Sequence, residues 1–300
     1  MISETPAQIF AFEDVAVYVT PENTKIVEWR LDRHFKFRSW PLQFFIEWAR
    51  PAGEWTRLNP AAPLTDVCFY IDNNSYLCNT WDDIYYRVVA YDGVQTYASR
   101  PAHSMGALNR HTWLLARDLL RKEYLRLQKF IGTFGYLLRR REYGERCPVC
   151  IEFDIEDTAN SQCTVCFGTG FVHGYYNAYP YWMDLSGTVD RKDVDIPFGV
   201  MDTQVRQGRG VAYPRVLPWD VWVHGSANSR FIVRSVTIGV DLQGVPLVYT
   251  PIELRQVPPT NIEYRIPMQV DYGSSSSSAG PEVADTTQGW RRGISVEEVW

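Results

Sequence analysis

The chain has 300 residues, 45% of them hydrophobic and 22% charged, with a formal net charge of −5. This is enough apolar material for about two domains, and the acidic balance excludes a chain built as a whole to coat nucleic acid. The N-terminal MISETPAQIF lacks the basic start and apolar core of a secretory signal, and no long apolar run occurs. A soluble protein folded in the cytoplasm, with no membrane span, is the expectation.

From about Ala7 to Ser99 the pattern is strand after strand. Val15–Val19, Lys25–Trp29, Phe44–Trp48 and Val67–Ile71 are short β-branched or aromatic runs, punctuated by Pro21, Pro51–Gly53 and Asp72–Asn74. Runs spaced in this way predict an antiparallel sandwich. The heavy aromatic content (11 Trp, 18 Tyr and 14 Phe) suits small β domains and broad interfaces, because each ring buries much area. Phe44, Ile46 and Trp48 alternate toward one face, as do Tyr86, Val88 and Ala90 ahead of an Asp92-Gly93 turn. Tyr86-x-Val88-x-Ala90 with Asp92-Gly93, and a Trp on an early strand at Trp29 or Trp48, resemble the fibronectin type III module. That resemblance implies an adhesive or spacer unit. A generic β-sandwich accounts for the same residues. Cys68 and Cys78 are read as buried small hydrophobes, not as a bridge.

From about Ala107 the period changes. Trp113, Leu120, Tyr124, Leu127 and Ile131 form a helical apolar stripe, with Lys122, Arg126 and Lys129 on another face. Gly132 and Gly135 predict a break, followed by a short second turn through Tyr136–Arg141. Between Arg110 and Arg146 there are ten Lys/Arg against four Asp/Glu, a local excess of six positive charges that leaves the remainder at −11. Such a basic helix is a solvated face, a docking surface for an acidic protein, or a nucleic-acid contact. The Arg139–Arg141 run is also placed to moderate charge at the site that follows it.

That site is Cys147-Pro-Val-Cys150, twelve residues, then Cys163-Thr-Val-Cys166. A Cys-x2-Cys turn aims two thiolates at one point, and two such turns complete the tetrahedron of a structural Zn2+ with no position left for water. Pro148 stiffens the first turn, and Gly168 and Gly170 let the chain fold back. Two metal-free cysteine pairs are the alternative. The aromatic run Tyr175–Trp182 is read as packing the loop onto its neighbours or another subunit. Asp190, Asp193 and Asp195 lack the glycine and closing Glu of an EF-hand calcium loop and predict a solvated turn.

Strands return from about Met183 at Trp219–Val223, Phe231–Leu242, Val245–Tyr249, Ile252–Val257 and Ile262–Ile266, forming a small barrel or sandwich. His173 and His224 have no catalytic spacing. Tyr272–Gly280 is low-complexity linker, and the last twenty residues form a tail ordered mainly by a partner. The fold class expected is therefore mainly β and multidomain. Residues 1–100 form the sandwich, 101–145 the basic amphipathic helical linker, and 146–182 the four-cysteine zinc loop. Residues 183–270 form the C-terminal β domain and 271–300 the flexible tail.

This order is similar to the neck, or head-to-tail connector, proteins of tailed bacteriophages. The stretches that carry the resemblance are ARDLLRKEYLRLQKFIG (116–132), LLRRREYGERCPVC (137–150), CTVCFGTGFVHGYY (163–176) and RFIVRSVTIGVDLQGVPLVYTPIELRQVPPTNIEYRIP (230–267). It covers residues 90–267 well and 1–90 loosely. It implies a non-enzymatic virion structural protein, assembled in the host cytoplasm as a ring between portal and tail. Its partners would be copies of itself, the portal, and tail-terminator or other tail proteins, with passing contact to genomic DNA. No catalytic residues are assigned. The competing reading is a zinc-ribbon nucleic-acid binder using Arg139, Arg140 and Arg141 on phosphates. One unit of a DnaJ-type cysteine-rich repeat and a wall hydrolase with an adhesive module are further alternatives. The first lacks the remaining repeat units and a J-domain His-Pro-Asp; the second lacks a visible acidic pair.

Overall fold

The computed structural model describes residues 11–20, 24–32, 34–59, 62–72, 81, 83–106, 108–150, 162–185, 189–196 and 199–269. The chain is mainly β, in several antiparallel sheets, with one α-helix among the described residues. Strands β1 (Phe12–Val19), β2 (Lys25–Leu31), β3 (Gln43–Ala49), β4 (Thr56–Arg57), β5 (Leu64–Thr65), β6 (Phe69–Asp72), β7 (Tyr85–Tyr91), β8 (Thr96–Ala98) and β9 (Ala102–His103) build two sheets. One runs β1-β2-β6; the other runs β4-β3-β7-β8, with β5 on β3 and β9 on β7. Alternate residues point between them, so Val27, Trp29, Phe44, Ile46, Tyr86, Val88 and Ala90 are buried in one cluster. Asp92 closes the β7–β8 turn by accepting N–H bonds from Val94 and Gln95 and the Tyr97 hydroxyl. Burial alone would raise its pKa, but these bonds outweigh it and hold the carboxyl below its usual range.

Helix α1 (Arg110–Arg126) starts where Asn109 Oδ1 accepts the Thr112 N–H at 2.9 Å. Trp113, Ala116, Leu120 and Leu127 are buried beneath it, while Lys122, Arg126 and Lys129 are exposed, as the period predicts. The end differs from expectation. Leu127–Ile131 is a π-turn, closed by the Gly132 N–H donating to Leu127 O at 2.8 Å. The wider turn rotates Ile131 off the core stripe, leaving it 37% exposed. Gly132 is required there, since a Cβ would sit 2.3 Å from Leu127 O.

The expected second helical turn is instead strand β10 (Thr133–Leu138). It pairs with β11 (Tyr179–Met183) on one side and β14 (Val221–His224) on the other. With β12 (Val189–Ile196), β13 (Gly199–Val211), β15 (Arg230–Leu242) and β16 (Val245–Gln256) it forms a seven-stranded sheet, ordered β11-β10-β14-β15-β16-β13-β12. An antiparallel bridge, Asp184 to Arg209, joins the chain just past β11 to β13 and curls the sheet on itself. Gly135 brings β10 against the Trp222 ring, which lies 2.4 Å from where a Cβ would be. Asp190, Asp193 and Asp195 stand on β12, not in a turn. The two runs expected on either side of Pro251 are one strand. Thr250–Pro251 forms a bulge, two residues facing one on both β13 and β15, which spares proline a ladder bond. Ile262–Arg265 is a 3₁₀ turn, not a strand, because Pro258 and Pro259 precede it and Arg230 binds the Glu263 and Ile266 carbonyls.

The sandwich and the curled sheet share one apolar core. Tyr18, Val19, Ile26, Cys68 and Phe69 pack in the same cluster as Trp113, Leu120, Tyr181, Trp222 and Tyr249. Burial pushes the Cys68 thiol up to about 12; Cys78 lies outside the described residues. Two buried charges cross this junction: Glu28 on β2, 1% exposed, and Arg139 at the exit of β10, 5% exposed, which form an ion pair. The other Glu28 oxygen accepts the Arg215 N–H at 3.1 Å. Arg139→Met should cost about 3–5 kcal/mol, because it strands a buried carboxylate. A urea titration should place Arg139→Met/Glu28→Gln above the single variant, and a double variant no more stable than the single would refute this account.

Candidate metal centre

Between β10 and β11 the chain leaves the sheet as a two-stranded ribbon. Arg139 O accepts the Tyr176 N–H and the Arg141 N–H binds Gly174 O, each at 2.9 Å. Farther out, the Val172 N–H binds Glu145 O and the Cys147 N–H binds Gly170 O, again at 2.9 Å. The four cysteines cap the ribbon. Residues 151–161, within the interval between the two pairs, lie outside the described residues.

All four sulfurs lie within 4.8 Å of one another, with Cys147 to Cys163 at 3.8 Å and Cys150 to Cys166 at 3.6 Å. Four thiolates at about 2.3 Å from a tetrahedral ion would stand about 3.8 Å apart, so the observed cluster fits a metal centre of this type. The two halves are built alike. The first sulfur of each pair takes backbone N–H bonds from the residues two and three positions on: Val149 and Cys150 for Cys147, Val165 and Cys166 for Cys163. Gly168 (φ 78°) and Gly170 (φ 82°) turn the chain back and aim their N–H groups at Cys166. The Thr169 hydroxyl donates to Cys166 O at 2.8 Å.

Burial and hydrogen bonding act differently on Cys163 and Cys166. Burial pushes Cys166 up to about 12, whereas at Cys163 the backbone donors outweigh it and pull the thiol to about 7. A bound divalent cation would favour all four thiolates.

The Arg139–Arg141 run is neither helical nor turned toward the sulfurs. Arg139 pairs with Glu28, Arg141 with Asp66, and the Arg140 N–H binds Asp220. Arg139 and Arg141 are buried. The physical reason is local: β10 carries the run into the junction, where sandwich carboxylates meet it. A nucleic-acid contact through these guanidinium groups therefore loses two of its three cations to internal partners.

The neighbouring aromatics do pack the ribbon onto its surroundings. Trp40 of the sandwich stacks on Tyr143 at 6.4 Å, Phe69 meets Tyr179 edge-on at 5.3 Å, and the Tyr181 hydroxyl donates to Val211 O at 2.6 Å. His173 is exposed; His224 Nδ1 accepts the Ser226 and Ala227 N–H groups in a turn. Sequence reasoning missed the sulfur-binding amides, although the Cys-x2-Cys spacing itself sets them up. No protein-family model matches the chain, and no curated protein matches it.

Cys163→Ser should reduce bound metal from one ion per chain to less than about a tenth and open the ribbon tip to protease, while amides of β15 and β16 remain protected. Because protons compete for the thiolates, chelator should strip the metal faster as pH falls from about 7.5 to about 5. Elemental analysis with limited proteolysis checks both; a Cys163→Ser protein holding a full equivalent of metal would contradict the assignment.

Proposed function

We propose that the chain is a structural protein of the tailed-bacteriophage neck, forming a ring between portal and tail, with Zn2+ held by Cys147, Cys150, Cys163 and Cys166 as a structural ion. The observation that carries this reading is the closed four-sulfur cluster at the tip of a ribbon. Four thiolates complete a zinc tetrahedron, so such a centre stiffens a contact element and leaves no position at which substrate is activated. A ribbon too small for its own core is pinned by metal at one end and by the sandwich at the other.

The strand order supports reading residues 1–100 as a fibronectin type III-like module: β1-β2-β6 in one sheet, the path β4-β3-β7-β8 in the other with the short β5 and β9 added at its flanks, and the chain crossing between sheets after β2. Such a module is a spacer or adhesive unit. Zinc is favoured over iron because a fixed coordination without redox chemistry is what a mechanical clasp needs. No helix among the described residues is long and apolar enough to cross a membrane. In this reading the protein works in the virion, between capsid and tail, and touches genomic DNA only as it passes.

Native mass spectrometry with zinc counted in the same sample tests the proposal. The expected result is one zinc per chain and closed rings, alone or on adding a portal-like protein. A zinc-bearing monomer that ignores such partners, yet shifts on DNA with a steep salt dependence, would replace it with the nucleic-acid reading.

A further inference from the structure

The outward face of α1 and its π-turn is built unlike a solvated helix surface. Leu114, Leu115 and Leu125 are 38%, 45% and 40% exposed, and Phe130 is 83% exposed. Leu114 and Leu125 lie three turns apart on one side, about 16 Å along the axis. Arg121, Lys122, Arg126 and Lys129 are exposed among them. Of the two helix carboxylates, Glu123 is turned back to Arg209 at 2.6 Å and also lies 3.6 Å from Arg126. Asp118 is exposed, on the N-terminal side of these cations. The face is thus an apolar strip among cations that run from Arg110 to Lys129, with Asp118 its one exposed carboxylate.

A segment of the same chain matches that strip. Residues Gly289–Trp300 read GWRRGISVEEVW. Ile294, Val296, Val299 and Trp300 supply apolar side chains, Glu297 and Glu298 lie among them, and Arg291 and Arg292 lie upstream. Glu297 and Glu298 bring carboxylates, within an apolar run, to a face whose exposed charges are mostly cationic, Lys122, Arg126 and Lys129 among them.

The connection is long enough. The Ala178 N–H donates to Gln269 O at 2.6 Å, which anchors the end of the described chain beside β11. Met183 at the other end of β11 pairs with Thr133, three residues past Phe130. That places Gln269 roughly 17 Å along the strand from the π-turn. The intervening stretch to Gly289 includes Gly273-Ser-Ser-Ser-Ser-Ser-Ala-Gly280, and a Gly/Ser-rich linker of that length spans about 25 Å r.m.s.. Such a tether supplies an effective concentration of order millimolar, which favours docking within one chain over capture from another.

We propose that Gly289–Trp300 docks on the outer face of α1 in the same chain, with Trp300 and its apolar neighbours covering Leu125 and Phe130, and Glu297 and Glu298 meeting Lys122, Arg126 and Lys129. This holds independently of whether the chain forms a neck ring.

Amide hydrogen exchange on the full-length, metal-loaded protein tests it, read by mass spectrometry over residues 293–300. The expected result is exchange at least about tenfold slower than for an unstructured peptide of that sequence, unchanged on diluting the protein. Phe130→Asp should restore the unstructured rate, as should Lys122→Glu/Arg126→Glu. Adding Glu297→Lys/Glu298→Lys to the second variant should recover at least half of the slowing, which a merely unfolded helix would not do. Amides of β15 and β16 monitor the fold in the same samples. Unstructured-rate exchange in the unaltered protein overturns the proposal, as does slowing that survives both helix variants. Slowing that disappears on dilution also overturns it, and assigns the face to a second copy.

Discussion

A buried carboxylate must find its partners inside the fold, and Glu28 is the carboxylate on which this structure turns. It lies 1% exposed at the boundary between the sandwich and the curled sheet. An unpartnered charge there would be untenable, so β2, the exit of β10 and the Tyr213–Leu217 turn have to be in place together: one supplies the carboxylate, one the Arg139 guanidinium, one the Arg215 N–H. Asp220 repeats the device nearby, accepting N–H bonds from Arg140 and Leu217. Burial pushes that carboxyl up to about 7 in spite of Arg139 and those two donors. The apolar core is tolerant of small shifts; these hydrogen bonds are not, and they fix where the base of the ribbon stands.

The ribbon inherits its position from that base and its stiffness from its tip. Arg30 to Glu142 at 2.8 Å, Arg141 to Asp66, and Trp40 on Tyr143 tie its first strand to the sandwich. Beyond Tyr143 the described ribbon offers a ladder, the Arg146 guanidinium over the Phe171 ring at 5.1 Å, and the sulfur cluster. A metal ion held by the four sulfurs would supply what a hydrophobic core cannot at this size, namely several strong bonds from four residues. The closed ligand set and the polar base are two solutions to one mechanical requirement.

What was legible in the sequence was local. The sandwich strands show themselves by period two and by turn residues, and the cysteines by spacing alone. What was not legible depended on partners far along the chain. The Arg139–Arg141 run looks like a basic surface because its carboxylates, Glu28 and Asp66, are 111 and 75 residues away. Tyr136–Leu138 looks like the start of a second helical turn after the glycine break, until Pro180 and Val223 flank Tyr136 in a strand. Pro251 looks like a strand break because a bulge opposed by both neighbours leaves no mark in composition. The π-turn is the subtlest case: one additional residue per turn cannot be seen in an apolar period, yet it decides that Ile131 leaves the core.

That same turn separates what the fold requires from what it does not. Its geometry rests on the Leu127 carbonyl, the Gly132 N–H and the absence of a side chain at Gly132. None of these involves the side chain of residue 130, and a polar group there would leave the turn, the entry to β10 and the register with β11 unchanged. The same holds for Leu114, Leu115 and Leu125, since Trp113, Ala116, Leu120 and Leu127 already supply the buried stripe. Apolar surface that folding does not need, set among cations with few carboxylates to pair them, is explained by what covers it. The outer face of α1 is therefore best understood as half of a contact, and its other half has to be sought among segments that bring both apolar side chains and carboxylates.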